Sequence, residues 1–464
     1  MSEKSLAQPL RAATTHGALL PLLRRLHFYI GLFVGPFIFF AALTGTLYVA
    51  TPQLESYMYK HALYAETSGE PQSLAEQIAV AEKAVHNDLR LHAVRPGLVR
   101  GETTRVMFID PQLGPSEHRA IFVDPVSLAI RGDMTVYGTS GILPLRQTID
   151  YLHSSLMLGD VGRLYSELAA SWMWIAALGG IALWFYTRPK RRINNRFQNR
   201  RRVHVTLGWV LLSGMLLFSA TGLTWSQWAG GNVDKLRSEM DWLTPQVNTK
   251  LQGAAEEVDP HAEHHGHHSA MMMPEMAMDL TLFDNVLHAA RSAGIDATKL
   301  EIRPAKMADQ AWTVTEIDRG WPTQVDAIAI DPHSMKILDR TRFADFPLMA
   351  KLTRWGVDFH MGILFGLANQ LVLIAFGIAL CVLVAWGYRM WWMRRPTQSA
   401  SNPVLTLCHC WLALPVSGRI VSLMISIALG LAMPVMGCSL LLFVVIDWLR
   451  WRAKSTLSLA ESAK

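Results

Sequence analysis

Residues 24–45 read RRLHFYIGLFVGPFIFFAALTG, and residues 201–222 read RRVHVTLGWVLLSGMLLFSATG. At a constant offset of 177, Arg24, Arg25, His27, Gly31, Thr44 and Gly45 meet Arg201, Arg202, His204, Gly208, Thr221 and Gly222. Each stretch is a basic pair, a histidine and then a run of about 20 apolar residues, enough to cross a bilayer as a helix. A second register follows at an offset of 207. It carries Asp124–Pro125 to Asp331–Pro332, His153 to His360, Gly159 to Gly366, Gly180 to Gly387, Trp184 to Trp391 and Arg188–Pro189 to Arg395–Pro396. The chain therefore reads as a duplication. The growth in offset places one insertion of 30 residues in the second half, between Gly222 and Asp331.

Four apolar runs qualify as spans: Phe28–Ala50, Ser166–Tyr186, Val205–Trp225 and Leu367–Trp386. All four read as unbroken. A fifth stretch, Ile420–Leu449, is interrupted near Pro434 and fits either one long tilted helix or a hairpin of two short ones. The first run follows 27 residues without a small-residue cleavage site, so it reads as a retained anchor. Basic residues gather on alternate connections. Arg24 and Arg25 precede the first span, eight Lys or Arg lie in Arg188–Arg202, Arg389, Arg394 and Arg395 follow the fourth span, and Arg450 and Arg452 follow the last. The positive-inside rule puts these in the cytoplasm. That orientation accounts for the net charge of +6, so no nucleic-acid function is read from it.

The expected fold is a membrane α-helical bundle of four core spans plus one or two C-terminal ones. Two periplasmic α+β modules are attached, in a tandem parallel repeat. The expected order is a cytoplasmic N-terminus (1–26), first span (27–50), first module (51–165), second span (166–187), basic cytoplasmic loop (188–204), third span (205–228), second module (229–364), fourth span (365–388) and C-terminal region (389–464). This is a multi-pass protein of a bacterial inner membrane with its N-terminus inside. Ser73-Leu74-Ala75-Glu76 is a capping box opening a helix with Leu74, Ile78 and Val85 on one face. Alternating runs at Arg105–Asp110 and Ala120–Asp124 read as strands. The second module repeats this near Leu282–Ala293, Ala311–Ile317 and Asp326–Ile330. Cys381, Cys408, Cys410 and Cys438 lie in or near the last spans, leaving the outer modules without a disulfide framework.

Of 17 histidines, His27, His204, His153 and His360 alone stand at repeat-matched positions beside spans. Ionisable groups near a membrane core are costly and usually functional. His27 and His204 open outward-going helices at the inner side; His153 and His360 precede inward-going helices at the outer side. Histidines at equal depth can share a metal, giving an inner and an outer pair. Two imidazoles across a planar macrocycle are axial haem ligands, whereas a bare metal wants three or four protein ligands. No C-x-x-C-H occurs, so haem would be held without a covalent bond. Gly31 and Gly208, one helical turn after their histidines, leave room for a porphyrin or for close helix packing.

The motifs RRLHFYIGLFVGP (24–36), DYLHSSLMLGDVGRLYSELAASW (150–172), VDPVSLAIRGD (123–133) and DFHMGILFGLANQL (358–371) resemble the PepSY-associated transmembrane family of iron-regulated membrane proteins. The chain resembles in particular the inner-membrane ferric-siderophore reductases of Gram-negative bacteria, over most of residues 20–396. The resemblance implies a di-haem b membrane reductase with two PepSY-type modules, the four matched histidines as haem ligands, and a periplasmic metal complex or siderophore-binding protein as partner.

Within 259–278, inside the insertion, stand His261, His264, His265, His267 and His268, then Met271, Met272, Met273, Met276 and Met278. Imidazole suits copper, zinc and nickel, and thioether sulfur favours Cu(I), so a cupric reductase or copper-handling protein is the alternative. The other readings are a non-enzymatic PepSY binding protein and, last, a repeat-built transporter, whose spans would break at midplane. The basic loop serves topology or docks an acidic flavoprotein or reduced nucleotide. With no G-x-G-x-x-G after a strand and no P-loop, the chain has no flavin or nucleotide domain of its own. Its electrons come from a separate cytoplasmic or membrane donor.

Overall fold

A computed structural model of the chain describes residues 15–85, 88–188, 196–251, 278–307, 309–394 and 406–462. The chain divides into two compact units. One gathers Met1–Thr46, His153–Lys235 and Ala375–Lys464, and the other Leu47–Leu152 and Leu236–Ile374.

The first unit is helical. Among the described residues, four helices are long and apolar enough to cross a membrane: Leu19–Met58, Gly159–Tyr186, Gly366–Met393 and Pro434–Arg452. The first carries a widened π turn at Ile30–Val34. The third span expected from sequence is not the unbroken helix of that reading. It consists of Arg196–Val210 and Leu212–Thr224, bent by 56° at Leu211. Ser213–Gly214 follows the break, a pairing typical of kinked helices. The ring of Phe376 lies where a Cβ on Gly214 would sit 2.2 Å away. Beyond the fourth span, Val416–Ala432 and Pro434–Ser462 are separate helices, split at Met433 (φ −129°, ψ 83°). Pro434 opens the second, where its missing N–H costs nothing. Gly430 and Gly437 let the two backbones touch: a Cβ on Gly437 would come within 2.8 Å of Gly430 Cα. Tyr29, Ile30, Val34, Trp172, Met215 and Phe443 form the buried centre, while Leu178, Phe185, Val210, Ile378, Leu441 and Leu442 stay exposed on the outside of the helices.

The second unit carries a sheet of β1 (Arg90–Arg95), β2 (Thr104–Ile109), β3 (Glu117–Val123), β4 (Ile130–Tyr137), β5 (Leu300–Arg303), β6 (Trp312–Glu316), β7 (Ala327–Ile330) and β8 (Ile337–Thr341). The two expected modules share this one antiparallel sheet, ordered β4-β3-β2-β1-β5-β6-β7-β8. Its seam pairs Val94 with Ile302. Buried Glu301 crosses the seam to Arg95 at 2.7 Å. Helices Leu74–Ala84 and Thr281–Ser292 contribute Ile78, Ala81, Phe283 and Val286 to one core with Val94, Ile121, Ile302 and Ile328. The Ser73–Glu76 capping box is formed. Asp284 adds a second cap, accepting from the N–H groups of Leu74 and Ala75 at 2.8 and 3.0 Å. The order helix then four strands thus occurs twice. Bulges at Phe122/Val123 and Ala329/Ile330, and left-handed residues Leu128 (φ 59°) and Met335 (φ 57°), fall at the 207 offset.

Candidate functional site

Within the helical unit, His27 and His204 come together. Their ring centroids stand 6.5 Å apart with planes at 79°. Each ring rests on a returning helix at matched positions. A Cβ on Gly180 would lie 3.2 Å from His27 Cε1, and one on Gly387 would lie 3.6 Å from His204 Cε1. His204 Nδ1 faces the carbonyl of Leu383 at 3.2 Å, and the Ala176 carbonyl, 207 residues earlier, lies beside His27. An N–H at His204 Nδ1 donates to that carbonyl and leaves Nε2 bare for a metal. His27 Nδ1 is buried with no hydrogen-bond partner among the described residues. An ion about 2 Å from a nitrogen of each ring would set the centroids roughly 6 Å apart, so this pair is spaced to share one. Among the described residues no group of three or more His, Cys, Asp or Glu could hold a bare ion.

Gly31 and Gly208 follow on the same helix faces, and a Cβ on either would meet nothing within 4 Å. Among the described residues nothing packs closely against either position, and space stands open beside both. Close packing occurs instead at Gly45, Gly180 and Gly387, whose roles the sequence reading did not see. Their signal was present, since Gly180 and Gly387 are repeat-matched, and so are Gly45 and Gly222.

His153 is also packed in the helical unit. Its Nδ1 lies 3.0 Å from Thr44 Oγ1, and a Cβ on Gly45 would come 3.2 Å from its Cε1. The Thr44 hydroxyl donates to the Phe40 carbonyl at 2.8 Å. In the neutral tautomer protonated at Nδ1, His153 donates to that hydroxyl. Burial lowers the pKa of His153 and favours this neutral form. The Tyr165 hydroxyl fixes the backbone by donating to the His153 carbonyl at 2.7 Å. His360 belongs to the other unit, as the last residue of the helix Leu348–His360. Two residues earlier, fully buried Asp358 is paired with Arg319 and Arg354 and pins that helix end. Of the His/Met-rich stretch, His261, His264, His265, His267, His268, Met271, Met272, Met273 and Met276 lie outside the described residues. Met278 is described and exposed.

No curated protein matches the chain. The PepSY-associated TM region matches residues 24–394, which takes in all four matched histidines and both halves of the sheet. With its long apolar helices, the chain is a multi-pass membrane protein, and it belongs to the family of the PepSY-associated TM region.

Proposed function

We propose that this is a di-haem b oxidoreductase of the bacterial inner membrane, duplicated from a single ancestral half. It passes electrons from a cytoplasmic or membrane donor to a periplasmic metal complex. The observation that carries the reading is the inner pair: two imidazoles 6.5 Å apart, backed by glycines and flanked by the open space at Gly31 and Gly208. His27 and His204 would hold the inner haem, and His153 with His360 the outer one. The matched bulges, left-handed residues and glycine contacts support the duplication on which the outer pairing rests.

Bound haem would supply one-electron carriage through the low-dielectric core. The chain's part is to orient and insulate. Leu383 and Thr44 each offer a hydrogen-bond partner to the Nδ1 of one ring. Gly45, Gly180 and Gly387 set how far each ring leans into its neighbour helix. The substrate we assign is a ferric siderophore, from the resemblance of the histidine motifs. The His/Met-rich stretch favours a second reading in which the metal reduced is copper.

A redox-difference spectrum of the purified protein, with haem quantified per chain, tests the proposal. Two haems with sharp reduced b-type bands are expected. A colourless protein would overturn the reading and leave a non-enzymatic binding protein.

A further inference from the structure

The region that matches the family ends at residue 394. Beyond it, the C-terminal helix Pro434–Ser462 sends a carboxylate back to the first span. Asp447 is 2% exposed. It accepts from Arg25 Nη2 at 2.8 Å, from the Tyr29 hydroxyl, and from the Leu407 N–H at 2.5 Å. A carboxylate in an apolar helix is costly unless its oxygens are satisfied, and here both are. Arg25 also donates to the Tyr29 hydroxyl at 2.7 Å, so one helical turn presents a joined pair to Asp447.

Arg25 and Tyr29 bracket His27 by two residues on either side. At about 100° per residue, both lie on the helix face turned away from His27. Directly after Tyr29 the helix widens into the π turn Ile30–Val34, where the register of everything downstream shifts. The C-terminal helix grips that turn as well. Phe443 stacks on Phe33 at 5.5 Å and 27°, and lies 5.6 Å from Trp172. Trp172 Nε1 donates to Ser439 Oγ at 2.8 Å. The back of the His27 helix is therefore held by a directional ion pair at one level and by ring packing at the next. Apolar packing alone tolerates rotation about a helix axis; hydrogen bonds to one carboxylate do not.

We infer that Asp447 is a positioning residue for the inner histidine pair: through Arg25 and Tyr29 it sets the rotation that points His27 at His204. The C-terminal segment is then a working part of the inner site. The inference rests on the reading of that pair as a ligand site, and its test separates the two.

The experiment compares the full-length protein with Asp447→Leu, Tyr29→Phe and Leu441→Ala. Haem per chain, the low-spin EPR signals and the midpoint potential of each haem are recorded. Asp447→Leu should lower inner-haem affinity by about tenfold and alter its low-spin signal while the outer signal stays, as expected for loss of a group that orients a ligand. Tyr29→Phe should lower inner-haem affinity by less, and carries the test should Asp447→Leu fail to accumulate. Leu441→Ala, in the same helix but exposed on its outer side, should leave both signals unchanged. A second arm needs no haem. His27→Cys and His204→Cys, in a chain whose four native cysteines are replaced by alanine, are joined by a short bismaleimide, and Asp447→Leu should slow that reaction. A haem-free wild type would overturn the ligand reading, and the cross-linking would still decide the latch. A normal inner signal with unchanged cross-linking in Asp447→Leu would overturn the latch alone.

Discussion

The Thr44 hydroxyl and the His153 imidazole meet at 3.0 Å, and the hydroxyl proton is already committed to the Phe40 carbonyl at 2.8 Å. A hydroxyl that spends its proton on that carbonyl accepts from an N–H at His153 Nδ1. Thr44→Val keeps the shape and removes the acceptor. Haem affinity at the outer site should fall by about 10- to 100-fold, with the inner site unaffected. Titration of the apoprotein with haem, read at the two sites' reduced bands, measures it. Equal affinities would show that the hydroxyl does not orient the ring.

Removing ligands should separate the sites. His27→Ala or His204→Ala should leave one low-spin haem per chain, and His153→Ala or His360→Ala should leave the other. The outer variants should cut reduction of an external chelate more than reduction of haem by an internal donor. Loss of both haems in every variant would refute two independent pairs.

The glycine contacts predict a graded steric series. Gly180→Ala places a methyl 3.2 Å from His27, tighter than the 3.6 Å that Gly387→Ala gives at His204. The first should perturb the inner haem spectrum more than the second. Gly214→Ala meets Phe376 at 2.2 Å and should cost stability instead, about 1–3 kcal/mol, since a ring or backbone must move. Thermal unfolding beside the haem spectrum distinguishes the two effects.

A pH dependence should come from the sheet. His92 and His118 stack at 3.8 Å and 22°. Burial, with His118 and Arg303 nearby, lowers the pKa of His92 to about 3 from its ordinary 6.5. The unfolded chain then binds the extra proton more readily, so stability is complete above about 6.5 and declines as the pH falls toward 3. The loss should reach a few kcal/mol at the acid end, moderated because the mostly buried ring keeps some contact with solvent. Denaturant midpoints between pH 7 and 4 measure the slope, which His92→Gln should flatten. An unchanged slope in that variant would assign the acid sensitivity elsewhere.

Deleting residues 259–278 should leave the haem spectrum as it is, because the stretch lies outside the repeat and insertions of this length perturb stability little. Copper binding should fall, most clearly above about pH 6 where imidazoles are neutral. Cupric and ferric chelate turnover, compared with and without the stretch, decides the substrate. Equal cupric turnover would return the assignment to ferric siderophores.

The sequence by itself determined the first, second and fourth spans, the matched histidines and the family. Hydrophobic runs of about 20 residues and a constant offset are local or periodic signals that survive without three-dimensional knowledge. It also determined β2, β3, β6 and β7, whose buried, alternating residues announce themselves. It did not show β4 and β8, because edge strands such as Ile337–Thr341 bury little and carry no apolar pattern. Nor did it show β1 and β5, whose pairing joins residues 208 positions apart at Val94 and Ile302. The bend at Leu211 was invisible because Ser213 and Gly214 are compatible with a straight helix until Phe376 lies against them. Only the tertiary structure decided that His27 faces His204, that glycines back the rings, and that Asp447 reaches Arg25. Each of these depends on which helix faces meet, and hydropathy averages over all faces of a helix alike.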